Sequence, residues 1–543
     1  MKPNPFVQRL YKESTFACGK TTHYRNVQNI LDRGRSFSLI RSTQRSTIRL
    51  LLQRWLPAVL ALALLLTACS SGDGNRESGG EPVTLKVMHW NEQSFNSEYG
   101  MLYYALNPNV EFEVVSTNKI QVSEIESSEE YEKKFEQFIQ DEKPDILMLN
   151  QEQYEKFAAD GRLVSLESYL TRDKLDLEGF IPGLIDLMRE KGGGELYGLT
   201  PNFYSQAIYY NKDLFDRYNI EYPTDKMSWE EVLNLAGRFP TDGSDEDRIY
   251  GLRVGYSTDL FQLGLAIGST SGLRMVNPAD KRVSIDSESW VNAYETALRA
   301  IRSGTLYNNE NMSFSGSYEE YLLQNPFVSG KVAMAIDGTY LMQQIREAAE
   351  VIPDKAVKNW DLVTIPVDPA NPDYTNNVSF YNIFAIHAES PNRDAAWDFI
   401  RYIHSDEYAR VTSKAFNGQF PVRTKYIRDD EGRNLAAFYL LEPSGTELYP
   451  GFEDLPSNFF NEFYTIGSEE MKAVTSDQKT VAEALASMQT RLQAALDEAI
   501  ANQEANGAAG RNEAGVSVES GMVVMPAESG EAEAGAAGEG SAD

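Results

Sequence analysis

Residues 196–239, LYGLTPNFYSQAIYYNKDLFDRYNIEYPTDKMSWEEVLNLAGRF, decide how the rest of the chain is read. The aliphatic and aromatic positions of Gln206–Tyr210 suit a buried strand, which Asn211 ends. Asp213 is placed to cap a short helix carrying Leu214 and Phe215. Ser228 caps a second helix, with Glu231 three residues on completing a capping box. Trp229, Val232, Leu233 and Ala236 give that helix its apolar stripe.

Working outward, Val83–His89 alternates as a strand does. Val110, Phe112 and Val114 supply a second strand, and Ile146–Leu149, after Pro144 and Asp145, a buried third. Between them, Tyr131, Phe135, Phe138 and Ile139 fall on one face of a helix. Strands alternating with helices predict α/β architecture. The foldable part is about 420 residues, which suits two lobes of roughly 200 better than one core.

The ends have a different composition. Residues 1–68 carry 11 Lys or Arg against two acidic residues in a chain of net charge −30; without this excess of nine positive charges the remainder stands at −39. So acidic a protein lacks the clustered Lys and Arg that phosphate binding needs, which excludes a nucleic-acid partner. An apolar run from Trp55 to Leu66 follows the basic part and ends in Leu66-Thr67-Ala68-Cys69. It is shorter than the roughly 20 residues of a membrane-spanning helix, so residues 1–68 read as a signal peptide. The last four residues are similar to a bacterial lipobox, which implies that Cys69 is lipidated and becomes the mature N-terminus. The first 50 residues are long for the basic region of such a peptide, and no Met lies between Met1 and Met88. A misassigned upstream start is one reading of this. Cys18 lies in that part, so the mature chain keeps only Cys69 and is expected to have no disulfide. Residues 69–82 then form a flexible tether of Gly, Ser and charge. Residues 504–543, with eight acidic groups against Arg511, read as a disordered acidic tail.

Several motifs carry a family resemblance. Tyr197-Gly198, YNKDLF at 210–215 and the Trp-Glu-Glu helix start at 229–231 resemble the extracellular solute-binding proteins of carbohydrate ABC importers. PDILMLN (144–150), FVSGKVAMAIDGTY (327–340), NWDLVTIPV (359–367), the segment 378–411 and NGQFPVR (417–423) follow in that family's order. The resemblance implies a two-lobed, periplasmic-binding-protein-like α/β fold of type II. Its lobes would comprise residues 83–206 with 379–425, and 207–378 with 426–503. The chain would cross between them near Phe203–Ala207 and Val378–Asn382, with the ligand in the cleft.

In open α/β sheets ligands bind beyond the carboxyl ends of strands. Those ends nominate Trp90, Asn91 and Glu92 after the first strand, and Asn150, Gln151 and Glu152 after the third. Phe203 and Tyr204 stand at the first crossing, Ser379, Phe380 and Tyr381 at the second, and Asp337, Gly338 and Tyr340 after Val332–Ile336. Amides and carboxylates suit the hydroxyl rim of a sugar, and aromatic rings its C–H faces. Tyr340 holds the place where the family often puts a stacking aromatic.

A glycoside hydrolase would need two carboxylates flanking a bond, and Glu92 and Asp337 are candidates, but 80 acidic residues make any such pair uninformative. No G-x-S-x-G, H-E-x-x-H or C-x-x-C motif occurs, and the acidic loop 241–247 lacks calcium-loop spacing, so neither metal nor cofactor is expected. The resulting expectation is a monomeric, lipid-anchored receptor on the extracytoplasmic face of the cell membrane. It captures a sugar by lobe closure and delivers it to an ABC permease; signalling to a sensor kinase is the alternative.

Overall fold

The computed structural model describes residues 82–120, 128–243, 248–255, 259–277, 280–308, 316–414, 418–429, 431–444 and 455–509. The signal peptide, Cys69, the tether before Pro82 and the tail beyond Ala509 lie outside them.

Two sheets organise the fold. The first runs in the order β2-β1-β3-β10-β4, from β1 (Val83–His89), β2 (Val110–Ser116), β3 (Ile146–Leu149), β4 (Gly198–Leu199) and β10 (Ile383–Ile386). β1 lies parallel to β2 and β3, whereas β10 returns antiparallel to β3 and β4. The second sheet has the order β8-β5-β7-β6, from β5 (Asn202–Asn211), β6 (Tyr250–Val254), β7 (Val332–Gly338) and β8 (Trp360–Thr364). β5 is antiparallel to both neighbours, and β6 is parallel to β7. The three expected first-lobe strands are all present, and the Ser128–Glu142 helix buries Phe135, Phe138 and Ile139.

Two apolar cores are built on the sheets, and the second sheet contributes to both, with Ala207, Tyr209 and Ala335 in the first. Leu85, Val87, Leu147 and Phe384 belong to the first core with Trp397 and Phe399 of the Arg393–Ile403 helix. Ile208 and Met334 belong to the second with Trp229, Trp290, Tyr294 and the Phe459 and Phe463 side chains. In the helix Trp229–Ala236, Ser228 and Glu231 form the expected capping box; Trp229, Val232, Leu235 and Ala236 are buried, with Leu235 replacing Leu233 in the fully buried stripe.

Two local expectations are corrected. Asn211, not Asp213, caps the Lys212–Tyr218 helix: its Oδ1 accepts from the Asp213 and Leu214 amides at 3.1 and 3.4 Å. An Ncap side chain must precede the amides it satisfies, and Asp213 already lies inside the helix. The last helix runs from Val481 to Ala509, past the expected boundary at 504. Gln503, Glu504, Ala505, Ala508 and Ala509 are good helix formers, so Gly and charge do not end the helix where their density first rises.

Candidate functional site

β5 is the structural pivot of the site's construction because four other strands pair along it. Asn202 and Phe203 face Pro421 and Phe420 of β11 (Phe420–Pro421), and Tyr204 and Ser205 face Ser379 and Val378 of β9 (Val378–Ser379). Gln206–Tyr210 then pairs with β7 and Ala207–Asn211 with β8. The chain therefore passes between the sheets three times: from β4 through Thr200-Pro201 into β5, from β9 through Phe380-Tyr381-Asn382 into β10, and on the segment that includes β11, between Arg423, bonded to His404 O, and Asn434, bonded to Asp361 of β8. The Thr200 hydroxyl donates to Asn202 O at 2.7 Å, and the Val422 amide donates to Pro201 O at 3.0 Å, which ties the first and third passages together.

Where the passages meet, Asn202, Phe203, Tyr204, Ser379, Tyr381, Asn382 and Gln419 line a narrow concave space, too tight as it stands to admit a water molecule. None of the seven side chains is charged. Gly338 fits under the Tyr204 ring only because it has no side chain: a Cβ there would stand 2.4 Å from Tyr204 Oη. Tyr340, 60% exposed, lies beside Gly418, where a Cβ would come within 3.2 Å of its ring. The Thr339 hydroxyl donates to Gly418 O, so the start of the Thr339–Val351 helix is fastened to the third passage, next to Gln419. Rings, amides and hydroxyls without a fixed charge make a surface for an uncharged polar solute.

The expected site residues divide accordingly. Tyr204, Ser379 and Tyr381 line the space, and Gly338 and Tyr340 adjoin it. Phe203 also lines the space, but it is only 2% exposed and packs on Phe420; Phe380, just past β9, is 3% exposed and packs in the core. Asp337 has both oxygens held, Oδ2 by Arg253 at 2.8 Å and Oδ1 by the Gly338 amide at 2.7 Å. Asn91 and Asn150 act as helix caps, accepting from the Ser94 and Gln153 amides. Gln151 and Glu152 follow Asn150 in the first turn of its helix, as Glu92 follows Asn91. Trp90 is partly exposed with its ring 4.5 Å from that of His89. None of Trp90, Asn91, Glu92, Asn150, Gln151 and Glu152 is among the seven residues that line the space. Sequence reasoning missed Asn202, Asn382 and Gln419. Asn202 was within reach, since a period of two puts it on the same face as Tyr204.

Among the described residues no group of three or more His, Cys, Asp or Glu side chains could hold a metal ion, and no helix is long and apolar enough to cross a membrane. Two buried histidines do make the fold sensitive to acid. Burial holds His89 at about 4, against the partly opposing Asn91 carbonyl, and burial likewise holds His404 at about 4, opposed by the Ile400 carbonyl. An unfolded His takes up its proton near 6.5, so the unfolded state binds more protons between these values. The histidine contribution to stability is therefore complete above about 6.5 and is lost as pH falls towards 4. Urea unfolding at pH 7.0 and 4.5 is expected to show a lower midpoint at the acidic pH, and His404→Asn is expected to reduce that difference; equal midpoints would contradict the assignment.

The model of the family described as bacterial extracellular solute-binding protein matches residues 99–410, more than half of the chain. The chain belongs to that family. A candidate binding protein of Brucella abortus is 26% identical to this solute-binding protein over 313 residues, covering 54% of this chain and 68% of the relative. Among solved structures, a sugar transporter of Rhizobium etli in an open conformation has a TM-score of 0.54 at 21% identity, covering 76% of this chain and 99% of the other. The sugar-binding protein MalE of Xanthomonas citri also gives 0.54, at 16% identity, over 78% and 99% of the two chains. These likenesses give the solute-binding protein the two-lobed α/β fold expected from its sequence.

Proposed function

We propose that this solute-binding protein captures a neutral, polyhydroxylated solute, a sugar or oligosaccharide, between its lobes and delivers it to an ABC permease. The observation that carries the reading is the uncharged lining of the space at the three passages. An amino acid, a polyamine or a metal ion would leave a charge to be paired there, at high desolvation cost, whereas a sugar asks for amides, hydroxyls and ring faces. The sugar-related names of the Rhizobium and Xanthomonas proteins agree with it. The lining also carries no carboxylate pair, so the reading includes no chemical step on the sugar. The moving bodies would be residues 83–206 with 379–425 and 207–378 with 426–503. Isothermal titration with a panel of oligosaccharides tests the class: at least one saturable ligand is expected. Binding of amino acids, peptides, metals or polyamines with no carbohydrate bound would overturn it.

The reading includes a lipid anchor at Cys69, supported by the Leu66-Thr67-Ala68-Cys69 sequence behind an apolar run. Only the thiol can carry the diacylglycerol. Each buried CH₂ contributes about 0.8 kcal/mol, so two or more acyl chains suffice for stable attachment. Cys69→Ala is expected to give a protein without covalent lipid, detected by failure to incorporate labelled fatty acid. Normal labelling of the variant would rule out the anchor at this residue.

A further inference from the structure

Buried polar atoms normally find partners, so clustered exceptions mark a place where something else supplies them. Eight buried side-chain polar atoms among the described residues have no hydrogen-bond partner in the protein, and four of them belong to one neighbourhood: His89 Nε2, Asn96 Oδ1, Tyr99 Oη and Asn382 Oδ1. The neighbourhood is built by an irregularity. The helix that starts at Glu92 changes to a π turn over Asn96–Gly100 before resuming at Met101–Leu106, and Tyr99 and Gly100 are buried within that turn. π turns inserted in helices occur often at functional sites. Gly100 is required there, because a Cβ would lie 2.5 Å from Asn96 Oδ1.

Three of these side chains come together under the cavity. The His89 and Tyr99 rings stand edge to face at 6.1 Å. Tyr99 also lies beside the Asn382 amide, which opposes the rise in pKa that burial and Glu98 impose on its hydroxyl. Asn382 in turn lines the cavity. All three residues are more than nine-tenths buried, at 0%, 1% and 5% exposed. Their hydrogen-bonding roles can be worked out. His89 Nδ1 lies 3.1 Å from the Asn91 carbonyl, which can only accept, so Nδ1 carries the proton and Nε2 presents a lone pair. Asn382 Oδ1 is a second acceptor, and the Tyr99 hydroxyl can donate.

We infer that His89, Tyr99 and Asn382 hold one hydroxyl-bearing guest beneath the cavity floor, which donates to His89 Nε2 and Asn382 Oδ1 and accepts from Tyr99 Oη. An ordered water satisfies all three positions. A solute hydroxyl, with one proton, satisfies Tyr99 and one acceptor. A carboxylate would face two lone pairs and is rejected. In either case the guest fixes the Asn382 side chain that the solute meets, which makes His89 and Tyr99 positioning residues for solute recognition. Only the solute arm rests on the sugar reading.

High-resolution crystal structures of the protein, free and soaked with maltotriose, test this. An oxygen within about 3 Å of all three atoms in both forms identifies a water. An oxygen of maltotriose in its place identifies a solute hydroxyl. Either result supports the proposal, and Tyr99→Phe, which removes one oxygen and little volume, is expected to lose that oxygen. Absence of an oxygen peak in both wild-type structures overturns the proposal, as does a peak that persists at full occupancy in Tyr99→Phe. If no carbohydrate binds at all, the sugar reading fails, and the free structure still decides the guest.

Discussion

Asp337→Ala is expected to destabilise the protein by about 3 kcal/mol or more, the cost typical of removing one partner from a buried ion pair. Arg253 is the reason. Its side chain is 3% exposed, against 16% for Asp337, and its guanidinium reaches Asp337 Oδ2 at 2.8 Å, Gly255 O at 2.9 Å and Asn325 Oδ1 at 3.4 Å. Without the carboxylate, neither Gly255 O nor Asn325 Oδ1 can replace its charge beside the buried cation. The same substitution also removes the acceptor of the Gly338 amide, and with it a restraint on the turn beneath Tyr204. Asp337→Asn keeps the shape and one acceptor, so it is expected to cost less than Ala. Urea unfolding of the ligand-free protein measures both. A loss below about 1 kcal/mol for Ala, in the range of exposed pairs, would show that Asp337 is not the counter-charge that Arg253 depends on.

Tyr340→Ala is expected to do the reverse, weakening solute binding about thirtyfold, or about 2 kcal/mol, with the ligand-free melting curve unchanged. The ring is 60% exposed and rests beside Gly418, next to the cavity-lining Gln419, so its truncation opens no core cavity. If it stacks on the face of a sugar, both apolar contact and shape go with it. Tyr340→Phe keeps the face and is expected to bind nearly as wild type. The measurement pairs a thermal melt with titration of the tightest oligosaccharide found in the panel. Unchanged affinity for Tyr340→Ala would remove the ring from the site.

Periodicity made the regular elements legible. Val83–His89 and Ile146–Leu149 are strands where their apolar patterns end, and Ser228 and Glu231 form the capping box that their spacing dictates. The site was less legible because its side chains act through pairing that no local pattern encodes. β11 is two residues long and includes Pro421, which has no amide hydrogen to donate, so NGQFPVR carries neither strand period nor propensity. Only its partnership with Phe203 and Asn202 makes it a strand, and Gln419 reaches the cavity because of that partnership. Phe380 is harder to place for a related reason: an aromatic residue at a crossing has the right chemistry for a ligand wall and for a core, and burial alone separates the two. The Asp337 carboxylate likewise suits a sugar rim, until Arg253, 84 residues earlier in the chain, is found beside it.

The unbroken pairing of β5 constrains how the two halves can swing. Residues 202–205 are laced to β9 and β11, and the same strand continues without interruption into the second sheet. Aromatic rings stiffen the junction from behind, since Phe203, Phe420, Phe438 and Tyr209 touch in series at 6.1, 5.3 and 6.1 Å. A laced ribbon resists bending across its hydrogen bonds, and the Val422 amide's bond to Pro201 O extends the lacing past β11, so the torsions left outside it are those of Phe380–Asn382, where the ribbon meets the first sheet. On this reading the hinge pin is mounted on one leaf, and the boundary between the moving bodies falls before β5 and not at 206: the cavity wall formed by Asn202, Tyr204 and Ser379 would travel with the second lobe, and the first lobe would act as the jaw that turns against it.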